Sequence, residues 1–176
     1  ISSDHLIGLG RNADMQGNVD GLQLSLFDVS DMTNPTRIAN TIIGSGWSSY
    51  SSAAYNHKAF QYFAPLNLLS IPVFQWNYNN TTSKYTYFST ASLFNITTSS
   101  ITEVAAIDHL PFTTNEEDPH YWYSYAPVRR TVFIGDGTDY YIYTISGKGI
   151  LVNKADDFSI LSSLTLTENY SYWYNE

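Results

Sequence analysis

The sequence predicts an all-β fold, and three observations support this prediction. Aromatic residues make up 16% of the 176 residues, and the 15 tyrosines among them favour the half-buried surface of a sheet. The apolar i, i+3, i+4 spacing of an amphipathic helix is not sustained over any long window. Short apolar runs are instead separated by turns rich in Gly, Asn, Asp and Ser. We therefore expect strands joined by short turns throughout the chain.

The first part of the chain is predicted to form three strands. "HLIGLG" at residues 5–10 is the first. "LQLSLFDV" at residues 22–29 alternates Leu with Gln and Ser, so one face of this strand is expected to be buried. "RIANTIIG" at residues 37–44 is the returning strand. Between the last two, the short carboxylates of Asp28 and Asp31 are expected to accept hydrogen bonds from turn amides.

Two further units repeat this order of strands. Their predicted strands are, in chain order, "HKAFQYF", "NLLSIPVFQWNY", "KYTYFSTASLFNI" and "ITEVAAI", followed by "RRTVFIGD", "DYYIYTIS", "GILVNK" and "FSILSSLTL". These runs are rich in β-branched and aromatic residues, and polar turns separate them. Consecutive runs are therefore predicted to pair as antiparallel meanders.

A short motif recurs at the last corner of each unit. "SLFDVSDMTNP" at residues 25–35 has a weaker echo in "SLFNITTSSIT" at residues 92–102, and each precedes an apolar segment. Aligning "LFDVSD", "LFNITT" and "LVNKAD" places Asp28, Asn95 and Asn153 at one equivalent position, the exit of a third strand. Sequence repeats with four strands each are typical of β-propeller blades. A β-sandwich with accidental similarities is the alternative.

We therefore predict an all-β β-propeller fold with about three four-stranded blades of a larger ring. The blades are placed at residues 1–48, 52–110 and 120–167, with a tail at 168–176. So few blades leave two open sheet faces, whereas closed propellers typically have about four to eight blades. The chain starts at Ile1 without an initiator Met. The remaining blades are expected from the rest of a cleaved precursor or from a second copy.

Segments along most of the chain resemble one family in the same order. They are "IGLGRNAD", "GLQLSLFDVSDMTNP", "AAYNHKAF", "LLSIPV" and "VFIGDGTDYYIYTISGKGI". Together they resemble the secreted C-terminal β-propeller domain family of bacteria and archaea, which is similar in style to LVIVD-repeat propellers. The resemblance implies an extracellular or cell-surface protein with a structural or binding role. The chain departs from the family at Asn56, where the "DHKAF" segment usually has Asp.

Composition and motifs exclude several classes of function. The formal charge of −8, from 16 acidic and 8 basic side chains, leaves no basic face for nucleic acid. The absence of Cys excludes disulfides and thiol chemistry. No run of about 18 apolar residues occurs, so no transmembrane segment is expected. No hydrolase, metalloprotease or phosphate-loop motif is present, so no catalytic residue is assigned. An exported hydrolase or other enzyme, with its site on the propeller channel or on the rest of the precursor, is the alternative.

Two groups of residues are candidate binding sites. His57 is nominated by the family resemblance as a ligand or an acid–base group at the central channel. The alternative for His57 is a packed core histidine. Tyr121, Trp122 and Tyr123 in "YWYSY" would offer flat rings to a sugar or a peptide, or would pack between blades. A carbohydrate-binding module is therefore a further alternative function.

One loop is a candidate metal site. Asn12, Asp14, Asn18 and Asp20 lie close together in "NADMQGNVDG". Oxygen ligands at alternating positions would suit Ca²⁺, the single cofactor that the sequence suggests. The loop lacks the bidentate Glu of the helix-loop-helix calcium motif, and Asn, Asp and Gly also form ordinary hairpin turns.

Four asparagines lie in N-x-[ST] sequons and are candidate glycosylation sites. Asn79 and Asn80 belong to two overlapping sequons in the polar stretch "NYNNTTSK", which is expected to be a loop tip. Asn169 lies in a polar tail. Asn95 falls on the repeated corner, where its side chain is expected to be less exposed. N-linked glycans are therefore expected partners if the host attaches them.

Overall fold

The computed structural model describes residues 2–112 and 127–166, which form three antiparallel sheets. The first sheet contains three strands that are neighbours in chain order. They are β1 (His5–Ala13), β2 (Val19–Asp28) and β3 (Thr36–Ile43). Leu22, Leu24 and Leu26 alternate along β2 and are fully buried, as the sequence pattern predicts. This face of β2 packs against the second sheet.

The second sheet is centred on a long hairpin. Its strands are β4 (Ser49–Tyr50), β5 (Gln61–Phe63), β6 (Leu68–Asn79), β7 (Lys84–Ile96) and β8 (Ile101–Asp108). The short strands β4 and β5 both pair with β6, at different places along its length. Short 3₁₀ turns connect these inner strands. The hairpin formed by β6 and β7 is paired from Leu68 to its tip at Asn79 and Lys84.

The third sheet is a simple meander of four strands in chain order. They are β9 (Val128–Gly135), β10 (Tyr140–Ser146), β11 (Gly149–Lys154) and β12 (Ile160–Thr165). The predicted all-β fold is confirmed. Among the described segments, no helix has the length and apolar character needed to cross a bilayer.

The strand predicted for "HKAFQYF" at residues 57–63 forms only in its second half. In the segment "HKAFQYF", only Gln61–Phe63 is a strand, and His57–Ala59 forms a 3₁₀ turn. The turn is favoured because the Asn56 side chain accepts a hydrogen bond of 3.1 Å from the backbone N–H of Lys58. An Asp at this position would make the same bond, so the departure from the family pattern preserves the turn.

A β-bulge recurs at the last corner of every sheet. In each sheet the pairing register between the last two strands shifts by one residue near the corner. The shift directly follows three equivalent residues, Leu26, Leu93 and Val152. Because the bulge occupies the same structural position each time, it aligns the three sheets more reliably than the letters of the sequence do.

The bulges correct the predicted equivalence of the corner residues. Asp28 and Asn95 are equivalent, as predicted, since each is the second residue after the shift. In the third sheet that position belongs to Lys154, not to Asn153, so the prediction is wrong by one residue there. A slip of one residue moves a side chain to the other face of a sheet. Asn153 is accordingly buried, whereas Lys154 is exposed.

The sheets pack face to face and create two separate cores. The first core joins the first and second sheets through Leu22, Leu24, Leu26, Ile43, Leu69, Ile71, Val73, Phe94 and Ile96. The second core joins the second and third sheets through Ala91, Leu93, Ile107, Phe112, Val128, Ile142, Leu151 and Ala155. The second sheet is therefore covered on both faces, and each outer sheet is covered on one.

Candidate functional site

The predicted calcium loop is a hairpin turn between β1 and β2. Asp14 Oδ1 accepts hydrogen bonds from the backbone N–H groups of Gln16 and Asn18, at 2.9 and 2.8 Å. Its Oδ2 accepts a third bond from Asn18 Nδ2 at 2.7 Å. The side-chain bond from Asn18 contributes most to holding the pKa of Asp14 below its usual value, and the backbone bonds add to it. Asp20 Oδ1 accepts from the backbone N–H of Gly46 at 3.2 Å.

The carboxylates of the predicted calcium site thus already accept hydrogen bonds from the chain itself. Asn12 lies within β1 and Asp20 within β2, so Asp14 and Asn18 are the two predicted ligands in the turn itself. Across residues 2–112 and 127–166, no group of three or more His, Cys, Asp or Glu side chains is placed to share a metal ion. Calcium binding by Asn12, Asp14, Asn18 and Asp20 stays a prediction, and the turn geometry explains their spacing without a metal.

The turn role of the first corner is confirmed. Asp28 Oδ1 accepts a bond of 2.8 Å from the backbone N–H of Ser30, and Asp31 Oδ1 accepts one of 2.9 Å from that of Thr33. Hydrogen bonds with Ser30 and Thr33 lower the pKa of the two carboxyls. The same arrangement occurs at the turns that Asp136 and Asp157 begin. These carboxylates therefore shape turns.

His57 is exposed on the 3₁₀ turn that precedes β5. The alternative of a packed core histidine is therefore wrong, because the buried residue of this turn is Ala59, at 1% exposure. His57 contributes its backbone carbonyl to the turn, which accepts from the N–H of Phe60. A ligand or acid–base role of its imidazole stays a prediction.

The sequons differ in their surroundings. Asn79 ends β6, and its Oδ1 accepts hydrogen bonds from the backbone N–H groups of Thr81 and Thr82 at 2.9 and 3.1 Å. Asn80 is exposed in the turn at the hairpin tip. Asn95 is half-buried within β7, between two paired strands. Asn169 and the predicted platform of Tyr121, Trp122 and Tyr123 lie outside the described residues.

The β6–β7 hairpin carries an exposed aromatic surface that is not among the features predicted from the sequence. We define the aromatic face as Trp76, Tyr78, Tyr85 and Tyr87. Trp76 is paired with Tyr87, and Tyr78 with Tyr85, so all four side chains leave the same face of the hairpin. The signal was present in "VFQWNY" and "KYTYF", where aromatic residues alternate with other side chains. That alternation was interpreted only as strand formation.

The rings of the aromatic face contact one another and remain open to solvent. The Tyr85 ring centroid lies 4.8 Å from that of Tyr78 and 5.7 Å from that of Trp76. The exposed fractions are 38% for Trp76, 47% for Tyr78 and 52% for Tyr85. From residue 74 to residue 88, the single charged side chain in the sequence is Lys84. The aromatic face is therefore a solvent-exposed aromatic surface on a segment that carries one charged side chain, Lys84.

A second set of polar residues is buried between the second and third sheets. His109 is 1% exposed, and its Nε2 lies 2.8 Å from Thr144 Oγ1. Its Nδ1 has no hydrogen-bond partner in the described part of the chain. Burial lowers the pKa of the His109 imidazole to about 4, so it is neutral at pH 7. Since solvent does not reach this ring, its role is structural.

One cleft contains several titratable side chains. It has a volume of about 220 Å³, and Asp139, Lys154 and Asp156 contribute to its lining. All three side chains are exposed to solvent. They therefore line a cleft that is open to solvent.

Comparison with known proteins gave one match. The family model described as "Beta propeller domain" matches residues 1–158 of the chain. No curated protein and no solved structure matches the chain. The family match therefore agrees with the three stacked meanders, and it names neither a ligand nor a reaction.

Proposed function

Since the chain belongs to the β-propeller domain family, we propose that its three sheets are consecutive blades of a binding and structural module outside the cell. The remaining blades of the ring cover the sheet faces that are open here. The observation that supports this proposal is the composition of the open face of the third sheet. A propeller fold alone does not imply a function, so the proposal depends on this surface.

The outer face of the third sheet carries apolar side chains on all four strands, together with Ser162 and the exposed Arg130 and Lys154 on the same side. We define this outer face as Val132, Ile134, Tyr141, Tyr143, Ile145, Ile150, Val152 and Leu164, which are cross-strand neighbours on one side of the sheet. Val132 is 41% exposed, Ile134 50% and Leu164 57%. A contiguous apolar surface of this kind usually marks a site of protein contact.

The outer face corresponds to faces that are packed elsewhere in the chain. The bulges make Leu26, Leu93 and Val152 equivalent. Leu26 packs on the second sheet, and Leu93 packs on the third. Val152 is the next member of this series and lies on the open face. The partner that fits it is therefore another sheet of the same construction, from the rest of a precursor or from a second copy.

The mass of the native particle tests this proposal. We expect native mass spectrometry to detect a particle heavier than the 19.8 kDa chain, and denaturation to release its components. A component of 19.8 kDa alone would identify a second copy as the source, and one of different mass would identify another part of a precursor. A monomer of 19.8 kDa that unfolds cooperatively and binds no hydrophobic dye would contradict the proposal.

A pair of variants makes this test specific to the outer face. Val132→Asp places a charge on the outer face, so we expect it to dissociate the particle. Met32→Asp is the matched control, because Met32 is 85% exposed in the turn between β2 and β3. It should leave the particle unchanged. Equal dissociation by both variants would mean that charge, and not the outer face, controls assembly.

The proposed extracellular location is supported by the exposed sequon at the tip of the β6–β7 hairpin. Asn79 uses its side-chain oxygen in the turn, so Asn80 is the more accessible acceptor. In a host that attaches N-glycans, we expect enzymatic deglycosylation of the secreted protein to convert Asn80 to Asp, as peptide mass spectrometry would show. Unmodified Asn80 in protein recovered from the medium of such a host would contradict the assignment.

The enzyme alternative makes a different prediction. It would require the exposed Asp139, Lys154 and Asp156, or groups supplied by other blades, to act on a substrate together. Loss of a measurable hydrolytic activity in Asp139→Asn, with no loss in Asp14→Asn, would favour that alternative over a binding module.

A further inference from the structure

We propose that the aromatic face of the β6–β7 hairpin binds a neutral oligosaccharide, whose sugar rings stack on Trp76, Tyr78 and Tyr85. The proposal deepens the binding role proposed above by naming a site and a class of ligand. It uses a surface that is separate from the outer face of the third sheet, so the two proposals fail independently.

The end of the hairpin extends beyond the packed part of the second sheet. Residues 68–73 of β6 are buried between the neighbouring sheets, whereas residues 76–79 are exposed. On β7, residues 84–86 are likewise exposed. Trp76, Tyr78 and Tyr85 therefore contribute little to either core. Three large aromatic side chains clustered at the exposed end of a hairpin are expected to contact a partner.

The orientation of the rings leaves surface for a ligand. The plane of Tyr85 is tilted by 51° to Tyr78 and by 65° to Trp76. Tyr85 is therefore not stacked face to face on Tyr78 or Trp76, although Tyr87 stacks on it at 25° with the ring centroids 6.2 Å apart. The exposed surface of Trp76, Tyr78 and Tyr85 is what remains for a ligand. Side chains with an apolar ring and a polar edge suit a ligand that is itself apolar on one side and polar at its rim. A sugar ring, with C–H groups on its faces and hydroxyls at its edge, has this character.

Charge favours a neutral ligand over the alternatives. The chain carries a formal charge of −8, and Lys84 is the single charged side chain between residues 74 and 88. Nucleic acid, anionic polysaccharide and anionic lipid would each require a cluster of basic side chains. Polar groups for sugar hydroxyls are the phenol hydroxyls of Tyr78 and Tyr85 and the exposed Asn80 at the hairpin tip, whereas Asn77 and Thr86 leave the opposite face.

The binding test uses the full chain produced in a host without N-glycosylation, so that no glycan at Asn80 occupies the face. The probes are hexasaccharides of β-glucan, xylan and mannan, with polygalacturonate and a proline-rich peptide for comparison. We expect calorimetry to detect binding of at least one neutral hexasaccharide. Binding of none of them, or binding of only the peptide or the polygalacturonate, would overturn the proposal.

Variants of the hairpin locate the site. We expect Trp76→Ala and Tyr85→Ala each to weaken the hexasaccharide about tenfold or more, by analogy with the loss of a stacking ring elsewhere. Phe88→Ala is the matched control, because Phe88 is 38% exposed, like Trp76, but lies on the opposite face of the hairpin. An equal loss in Phe88→Ala would place binding elsewhere. Near-native circular dichroism spectra would show that the variants fold.

Separate measurements test the oligosaccharide site and the proposed ring of blades. Native mass reports whether other blades cover the outer face, and Trp76 and Tyr85 do not belong to that face. A heavy particle that binds no hexasaccharide would overturn the oligosaccharide site and leave the ring proposal intact. A monomer that binds a hexasaccharide through Trp76 would overturn the ring proposal and leave the oligosaccharide site intact.

Discussion

The two cores of the molecule are built differently. Between the first and second sheets, the core consists of large aliphatic side chains and Phe94, and the Arg11 guanidinium bonds to the Ser49 carbonyl at its edge. Between the second and third sheets, the apolar residues include two alanines, and buried polar side chains are bonded across the core. Ser70 and Thr131 share a hydrogen bond of 2.7 Å there.

The two kinds of contact hold their pairs of sheets in register to different degrees. Hydrophobic burial is strong but not directional, so aliphatic side chains stabilise contact without fixing a unique position. Hydrogen bonds within a core are directional, and leaving one of their partners unpaired is costly. The Ser70–Thr131 pair, the bond from Val128 N–H to Ser89 Oγ at 2.7 Å, and the His109–Thr144 pair therefore specify how the third sheet sits on the second.

Truncation of a side chain in the aliphatic core is expected to destabilise the protein most. Leu69 is fully buried between the first and second sheets. We expect Leu69→Ala to lower the free energy of unfolding by roughly 3–5 kcal/mol, since it removes apolar contact and leaves a cavity. Urea unfolding measures the change. Leu161→Ala, at a residue that is 48% exposed, is the control and should change stability by less than about 0.5 kcal/mol.

The second core is expected to be sensitive to acid. The pKa of His109 is about 4 in the folded protein, below its usual value of 6.5. The neutral form is therefore favoured by folding, and this contribution is complete above about pH 6.5 and is lost as the pH falls towards 4. We expect the free energy of unfolding to fall by about 2–3 kcal/mol over this window.

Comparison with His109→Gln isolates this effect, because glutamine does not titrate and keeps a polar group near Thr144. Urea unfolding at several pH values should show a flatter profile for the variant between pH 6.5 and 4. The carboxylates that cap turns, such as Asp28 and Asp31, also lose their acceptor role in acid, but below their usual pKa of 3.8. Identical profiles of variant and parent in the upper window would refute the assignment to His109.

A smaller effect is expected from the hydroxyl pair in the second core. We expect a coupling energy of roughly 1 kcal/mol between Ser70 and Thr131 in a double-mutant cycle of Ser70→Ala and Thr131→Val. Each single variant leaves one buried hydroxyl unpaired, whereas the double variant removes both. Denaturant unfolding of the four proteins gives the coupling energy. Strict additivity would show that this hydrogen bond does not hold the sheets together.

The smallest expected effect on stability is at the aromatic face. Because Trp76 lies on the exposed part of the hairpin, we expect Trp76→Ala to change the free energy of unfolding by less than about 0.5–1 kcal/mol. Thermal unfolding measures the change. A loss similar to that of Leu69→Ala would show that the aromatic face supports the fold rather than a ligand.

Much of the fold could be predicted from local sequence. The segment "KYTYFSTASLFNI" is β7 itself, Lys84–Ile96, because its apolar alternation and its flanking polar turns agree. The turns at Asp28 and Asp31 also followed from residue type. Where local signals conflicted, prediction failed. "HKAFQYF" has the residues of a strand, but the Asn56 cap begins a turn that no pattern of apolar residues reveals.

The candidate site was less predictable, because it depends on contacts between distant residues. The letters "LVNKAD" align with "LFNITT", yet the bulge after Val152 shifts the third sheet by one residue. The hydrogen bond between His109 and Thr144 joins residues 35 apart, and no local pattern indicates it. The aromatic alternation of the β6–β7 hairpin indicated a strand, whereas its exposure depends on how far the hairpin extends beyond the neighbouring sheets.

The absence of Cys from the chain allows a direct test of whether another blade covers the outer face of the third sheet. Ile134→Cys places a single cysteine on this face, at a residue that is 50% exposed, and Met32→Cys places one on an exposed turn as the reference. In the native particle, we predict that maleimide labels the cysteine at position 134 far more slowly than that at position 32, and that denaturation removes the difference. Equal labelling rates in the native particle would contradict the proposed ring.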